Sequence, residues 1–100
     1  MTFEDLKSRI ERKLSDAAGL AGRFKFDFGD EGLIFVDTTQ APPVLSEEDE
    51  DSDVTLKTSV ATFTAILDGT QDPTLAFMMG KLKVQGSMGL AMKLNSFLED

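Results

Sequence analysis

The side chains that could do chemistry in this sequence are carboxylates and lysines, because it contains neither histidine nor cysteine. The densest set is an acidic run that includes Asp49, Asp51 and Asp53, which are spaced like the first ligands of a calcium loop. Val54 stands where such a loop needs glycine, and Val60 stands where it needs a closing glutamate. We therefore expect a solvated loop that holds no metal ion.

The missing residue types also bear on catalysis. Without histidine or cysteine, the chain has no serine–histidine or cysteine–histidine nucleophile and no thiolate zinc site. Acid–base chemistry would need paired carboxylates on one face of an apolar segment, and no predicted element carries such a pair. The sequence therefore predicts a protein that is not an enzyme and uses no cofactor.

The net charge limits the possible partners. The chain carries 10 Lys and Arg against 18 Asp and Glu, a net charge of −8, whereas a nucleic-acid binder needs basic groups to displace phosphate counterions. The same charge disfavours tight binding to an anionic membrane. No apolar run approaches the ~20 residues of a membrane span, and the start lacks the features of a secretory signal. We expect a cytoplasmic protein without a nucleic-acid partner or stable membrane insertion.

Apolar periodicity in the first half predicts a helix followed by strands. Apolar residues first recur at three- and four-residue steps, at Phe3, Leu6, Ile10, Leu14 and Ala17. The period then becomes two at Phe24, Phe26 and Phe28, which is typical of a strand with one apolar face. A glycine-bounded turn leads to a continuous apolar strand at Leu33–Val36, and two prolines predict a bend or edge strand near Val44.

The second half predicts strand, two helices, strand and helix. Alternation from Val54 to Thr58 indicates a strand, and a helical stripe then follows at Val60, Phe63, Ile66 and Leu67. Asp72 and Pro73 predict the start of a second helix, and the alternation over Lys81–Gly86 predicts a strand. Ser87 can cap a final helix, whose apolar stripe is Leu90, Leu94, Phe97 and Leu98. This order predicts a single α+β domain over residues 1–100, with a mostly antiparallel sheet and helices on one face.

Three stretches of the second half follow one another in a distinctive order: Asp68–Pro73, Ala76–Gly86 and, after Met88, Leu90–Leu94. A helix closes with Asp-Gly, the next begins at Asp-Pro, and a Phe-x-x-Gly-Lys step leads to a strand whose final glycine opens the last helix. In this the sequence resembles the sterol carrier protein 2 family of lipid-transfer domains, as a small bacterial-type member. Close similarity covers roughly residues 54–98, and residues 1–45 match in element order alone.

The resemblance implies both a fold and a ligand class. The family fold is a five-stranded sheet with helices over one face and an apolar tunnel between the layers. Its members bind sterols, fatty acids, acyl-CoA or other long-chain lipids, and related modules serve as accessory proteins of quinone biosynthesis. The implied partner is a long-chain lipid or another hydrophobic small molecule, held by a monomer or weak homodimer. The acidic composition weakens the case for acyl-CoA, whose phosphates need Lys or Arg.

Methionine supplies a candidate wall for that cavity. Four methionines fall within fifteen residues, and flexible, polarisable methionine suits surfaces that accept varied apolar partners. Met88 and Met92 are four apart and so share one helix face. The predicted lipid-binding residues are Phe35, Phe63, Leu67, Phe77, Met78, Met79, Met88 and Met92. Two alternatives stay open: the methionines fill an irregular core, or the domain is an interaction or assembly module with a vestigial cavity.

Overall fold

The computed structural model describes residues 3–14, 21–40 and 43–98. In chain order the elements are α1 (Phe3–Leu14), β1 (Arg23–Asp27), a short 3-10 turn (Gly29–Glu31), β2 (Leu33–Asp37), β3 (Val44–Ser46), β4 (Val54–Lys57), α2 (Val60–Asp68), α3 (Pro73–Met78), β5 (Lys83–Gly86) and α4 (Met88–Leu98). Ala17 and the side chains of Phe97 and Leu98, which the sequence assigned to helix stripes, lie outside the described residues.

The five strands form one sheet in the order β3-β2-β1-β4-β5. Three of the four neighbouring pairs are antiparallel, and the pair formed by the central strand β1 with β4 is parallel. The predicted α+β class with a mostly antiparallel five-stranded sheet is therefore confirmed. In the described part of the chain, no helix is long and apolar enough to cross a membrane.

Alternation along β1 decides which face of the sheet the helices cover. Phe24 and Phe26 are completely buried, and they join the side chains of α1, α2 and α4 in one core. The ring of Phe63 from α2 lies 5.2 Å from that of Phe26 and 5.7 Å from that of Phe28. Such tilted and edge-on pairs stabilise a core beyond their area burial, so the aromatic residues hold α2 against the sheet.

The opposite face of the sheet, here called the outer face, is crossed by the acidic segment 47–53. Lys25 points to this face because its neighbours in β1 enter the core, and its Nζ lies 2.6 Å from Oδ1 of Asp49. The hydroxyl groups of Ser52 and Thr55 are 2.9 Å apart. Phe35, the register partner of Lys25, is 5% exposed on the same face. The acidic segment is exposed, as predicted, but the ion pair of Asp49 with Lys25 and the hydrogen bond between Ser52 and Thr55 hold it against the sheet.

Local signals set the ends of the helices that follow. Asp72 accepts hydrogen bonds from the amides of Thr74 and Leu75 at 2.8 and 3.3 Å, which confirms it as the cap of α3. The predicted strand at Lys81–Gly86 is two residues too long, because the amide of Lys81 donates instead to the carbonyl of Ala76 at the end of α3. β5 therefore begins at Lys83.

Gly86 joins β5 closely to the start of β4. Its φ is +102°, and a Cβ placed there would lie 2.2 Å from the carbonyl oxygen of Asp53. The same oxygen accepts a 2.9 Å hydrogen bond from the amide of Ser87, and the Ser87 hydroxyl accepts one from the amide of Leu90 at 3.3 Å. Only glycine fits this approach, so Gly86 fixes where α4 begins.

Candidate functional site

A sizeable cavity lies among the described residues, between the β4–β5 edge of the sheet and the helices α2, α3 and α4. Its volume is about 360 Å³, within the range of small-molecule sites. Apolar side chains make up most of the wall: Leu56, Phe63, Ile66, Pro73, Phe77, Leu82, Val84, Met88, Ala91, Met92 and Leu94. Two polar side chains complete it, Thr74 and Asn95.

The cavity has a buried floor and an open mouth. Leu56 and Val84, paired across β4 and β5, form the floor together with Phe63 of α2. At the mouth, Met92 is 72% exposed although it lines the cavity, and Met88 is half-exposed. An apolar wall that continues from a buried core to solvent can receive a hydrophobic molecule without unfolding the domain.

Four of the eight residues predicted from the sequence lie around this cavity: Phe63, Phe77, Met88 and Met92. Met88 and Met92 lie together because they are four residues apart on α4. Phe77 and Phe63 reach the same space from α3 and α2. The structure thus brings together side chains that the sequence separates by up to 29 positions.

The other four predicted residues lie elsewhere. Phe35 lies on the outer face of the sheet, because Ile34 and Val36 take the core side of β2. Leu67 is buried in the core and directly follows Ile66, an α2 residue that lines the cavity. Met78 and Met79 are exposed at the end of α3 and are absent from the wall.

Sequence reasoning missed several lining residues that a spacing argument could have found. Ala91 and Asn95 are three and seven positions after Met88, so they share its face of α4. Leu56 and Val84 could not be paired from the sequence, because nothing in it sets the register between β4 and β5. The alternation in each strand predicted that these side chains point inward. It did not show that they line a cavity instead of packing against other core side chains.

The polar groups of the wall are few and uncharged. In the described part of the chain, neither the Thr74 hydroxyl nor the Asn95 side-chain amide has a hydrogen-bond partner. These groups can therefore bind the polar end of a ligand. None of the described side chains that line the cavity is ionisable, so the described wall offers no acid or base to transfer a proton or to activate the Thr74 hydroxyl.

One described carboxylate has a clearly shifted pKa, and it lies away from the cavity. Asp37 ends β2 and is buried, and its carboxylate accepts hydrogen bonds from the hydroxyl and the amide of Thr39. The hydroxyl hydrogen bond is the main cause that holds the pKa of Asp37 below its ordinary value, and Arg23 adds a smaller effect. This carboxylate stabilises the turn after β2.

The chain is similar to known proteins over nearly its whole length. The model of the SCP-2 sterol transfer family matches residues 3–99. Hydroxysteroid dehydrogenase-like protein 2 of Bos taurus is 30% identical over 97% of the chain and 24% of that protein. Sterol carrier protein 2 of Homo sapiens is 31% identical over 96% of the chain and 19% of that protein. The chain therefore spans about a fifth to a quarter of the length of these relatives.

Solved structures share the fold. The solution structure of sterol carrier protein domain 2 of Helicoverpa armigera superposes with a TM-score of 0.74 and 30% identity, over 96% of this chain and 84% of that one. The solution structure of palmitated SCP2L2 from Aedes aegypti has a TM-score of 0.73 and 23% identity, over 98% and 95% of the two chains. The second comparison, at this identity, supports the arrangement of helices and strands alone.

Proposed function

Because the chain belongs to the SCP-2 sterol transfer family, we propose that it binds one long-chain lipid in the cavity between α2, α3, α4 and the β4–β5 edge. The observation that carries the proposal is a largely apolar space of about 360 Å³ that opens to solvent beside Met88 and Met92. The palmitated relative from Aedes aegypti is a case in which this fold holds a fatty acyl chain.

Removal of apolar surface from water supplies the binding free energy. At about 25 cal/mol per Å², micromolar affinity needs roughly 500 Å² of buried apolar surface once an association cost of about 4 kcal/mol is included. A long alkyl or isoprenoid chain offers surface of this order. Thr74 and Asn95 would hydrogen-bond its polar end, and the uncharged wall favours a carboxylic acid, alcohol or quinone precursor over a phosphorylated ligand.

We propose a carrier rather than an enzyme, because none of the described side chains in the cavity wall is ionisable. The alternative function is an assembly module with a vestigial cavity, for example an accessory factor in lipid or quinone metabolism. A space of about 360 Å³ favours the carrier, since bulky side chains would fill a vestigial cavity. A cytoplasmic location and a monomeric or weakly dimeric state complete the proposal.

Native mass spectrometry of the purified protein, followed by solvent extraction of co-purifying lipid, tests the proposal. We expect a discrete added mass, or a 1:1 complex after incubation with palmitate. Met92→Glu should weaken binding at least about tenfold, because it places a charge at the apolar mouth. It should change the stability by less than about 0.5 kcal/mol, since Met92 is mostly exposed.

Met78→Glu is the matched control, since Met78 is equally exposed on the neighbouring helix but does not line the cavity. It should leave palmitate binding unchanged. An unliganded mass that persists after incubation with fatty acids and isoprenoids would refute the carrier and favour the assembly module. Unfolding of Met92→Glu would instead place Met92 in the core.

A further inference from the structure

Methionine is the side chain of this protein that an oxidant attacks most readily. The sequence contains no cysteine, histidine, tryptophan or tyrosine, and all eight aromatic residues are phenylalanine. Among the side chains that remain, the thioether of methionine is the group that peroxides convert under mild conditions. Oxidation of the folded protein therefore falls first on its five methionines.

Four of the five methionines are exposed around α3 and the cavity mouth, and the fifth, Met1, lies outside the described residues. The exposed fractions of the four range from 53% at Met88 to 76% at Met78. Met78 and Met79 lie at the end of α3 and are absent from the cavity wall. Met88 and Met92 line the cavity. A small oxidant can therefore reach the wall methionines in the folded state.

Oxidation of these two wall residues changes the cavity and leaves the core intact. A methionine sulfoxide carries an oxygen that accepts hydrogen bonds, so a flexible apolar side chain becomes a polar one. An alkyl chain bound against Met88 and Met92 would take this oxygen out of water. The polar side chains of the described wall are Thr74 and Asn95, which the proposed function assigns to the polar end of the ligand. Neither methionine belongs to the buried core, so the added oxygens do not disrupt its packing.

We propose that Met88 and Met92 form an oxidant-sensitive switch: a peroxide converts them to sulfoxides, and the cavity then releases its lipid. The switch rests on the proposed function, because it is a regulation of the same cavity. A lone pair on the thioether sulfur attacks one oxygen of hydrogen peroxide, so that an S–O bond forms and the O–O bond breaks. Sulfur loses two electrons, and the other oxygen leaves as water with both peroxide protons. Methionine sulfoxide reductases restore the thioether, so the switch is reversible.

Graded oxidation with hydrogen peroxide, followed by native mass spectrometry with palmitate, tests the switch. The double variant Met78→Leu, Met79→Leu removes the exposed methionines outside the cavity and keeps the two that line it. Peptide mapping assigns each added oxygen, including any on Met1. The species with sulfoxides at Met88 and Met92 should bind palmitate about tenfold more weakly than the unoxidised species in the same sample. Treatment with methionine sulfoxide reductases should restore binding.

The matched double variant Met88→Leu, Met92→Leu has the opposite arrangement. Leucine keeps a similar apolar volume but has no sulfur to oxidise, and Met78 and Met79 remain as oxidation sites outside the cavity. Its affinity for palmitate after peroxide is compared with its own affinity before. The two should agree within about twofold, because no polar group enters the wall.

Three outcomes would overturn the switch. The first is equal palmitate binding by oxidised and unoxidised species, with sulfoxides mapped to Met88 and Met92; the carrier function would then stand without the switch. The second is loss of the folded circular-dichroism spectrum on oxidation, since lipid would then leave by unfolding. The third is oxidation of Met78 and Met79 without oxidation of the wall methionines in the unliganded protein. An unoxidised protein that binds no palmitate would instead refute the carrier function itself.

Discussion

Substitution of Gly86 by alanine should cost much more stability than the same change at Gly80, because the two glycines differ in what a methyl group would meet. At Gly86 a Cβ would lie 2.2 Å from the carbonyl oxygen of Asp53, so the backbone of β5 or β4 must shift. At Gly80, which has φ +76°, nothing lies within 4 Å of the added atom. Gly80→Ala therefore isolates the cost of a positive φ from the cost of the contact.

The expected losses of stability follow from the cost of a positive φ and the cost of the contact with Asp53. An alanine with a left-handed backbone costs about 1–2 kcal/mol, and the stiffer unfolded chain returns about 0.4–1 kcal/mol. Gly80→Ala should therefore lower the free energy of unfolding by about 1 kcal/mol or less. At Gly86 the φ of +102° and the displaced strand add about 1–3 kcal/mol. The loss there should be about 3 kcal/mol, equivalent to a fall in Tm of roughly 10–20 °C.

Thermal and urea unfolding of both variants, followed by circular dichroism, measures these losses. Gly86→Ala should also weaken palmitate binding in the population that stays folded, since the displaced segment carries Ser87 and the start of α4, where Met88 lines the cavity. Equal losses in the two variants would show that backbone φ alone sets the cost and that the contact with Asp53 contributes nothing.

Three further predictions concern the core, the turn after β2 and the outer face. Phe63→Ala should cost about 3–5 kcal/mol in urea unfolding, because Phe63 is 1% exposed and contacts two other rings; a loss below about 1 kcal/mol would contradict that packing. The lowered pKa of Asp37 means that its contribution to stability is complete above the unfolded-state pKa of about 3.9 and is lost as pH falls through the lower folded-state value. Asp37→Asn should therefore lose stability at neutral pH and show a shallower decline below about pH 4; an unchanged acid decline would refute the assignment. A double-mutant cycle on Lys25 and Asp49 should give a coupling below about 1 kcal/mol that shrinks with added salt, and a salt-independent coupling would argue against a solvent-screened pair.

The order of elements followed from periodicity because each element in this chain has a simple local pattern. The alternation at Phe24 and Phe26 and the cap at Asp72 are both found as predicted. The start of β5 was predicted two residues too early because Lys81 fits the alternation but donates its amide hydrogen bond to the carbonyl of Ala76 in α3. A local pattern cannot show such a competing partner, which comes from the preceding helix.

The cavity was harder to predict than the fold. The pattern of apolar residues in the sequence predicts which side chains point into the protein. It does not predict whether such a side chain lines a cavity or packs against other core residues. Phe63 and Leu67 have the same apolar character and lie one turn apart on α2, yet Phe63 lines the cavity and Leu67 does not. Which of the two faces the cavity depends on how α2 is rotated and placed against the sheet, and the local apolar pattern does not determine that placement.

The parallel pairing of β1 with β4 also has a consequence for the order of folding events. β1 can form a hairpin with β2 early in folding. Its other edge pairs with β4 only later, because the register partners Phe24 and Val54 are thirty residues apart in the sequence. During synthesis the N-terminal part emerges first, so a strand edge rich in phenylalanine stays unpaired for a time. The acidic segment emerges just before β4, and charges beside an unpaired edge oppose pairing with other chains.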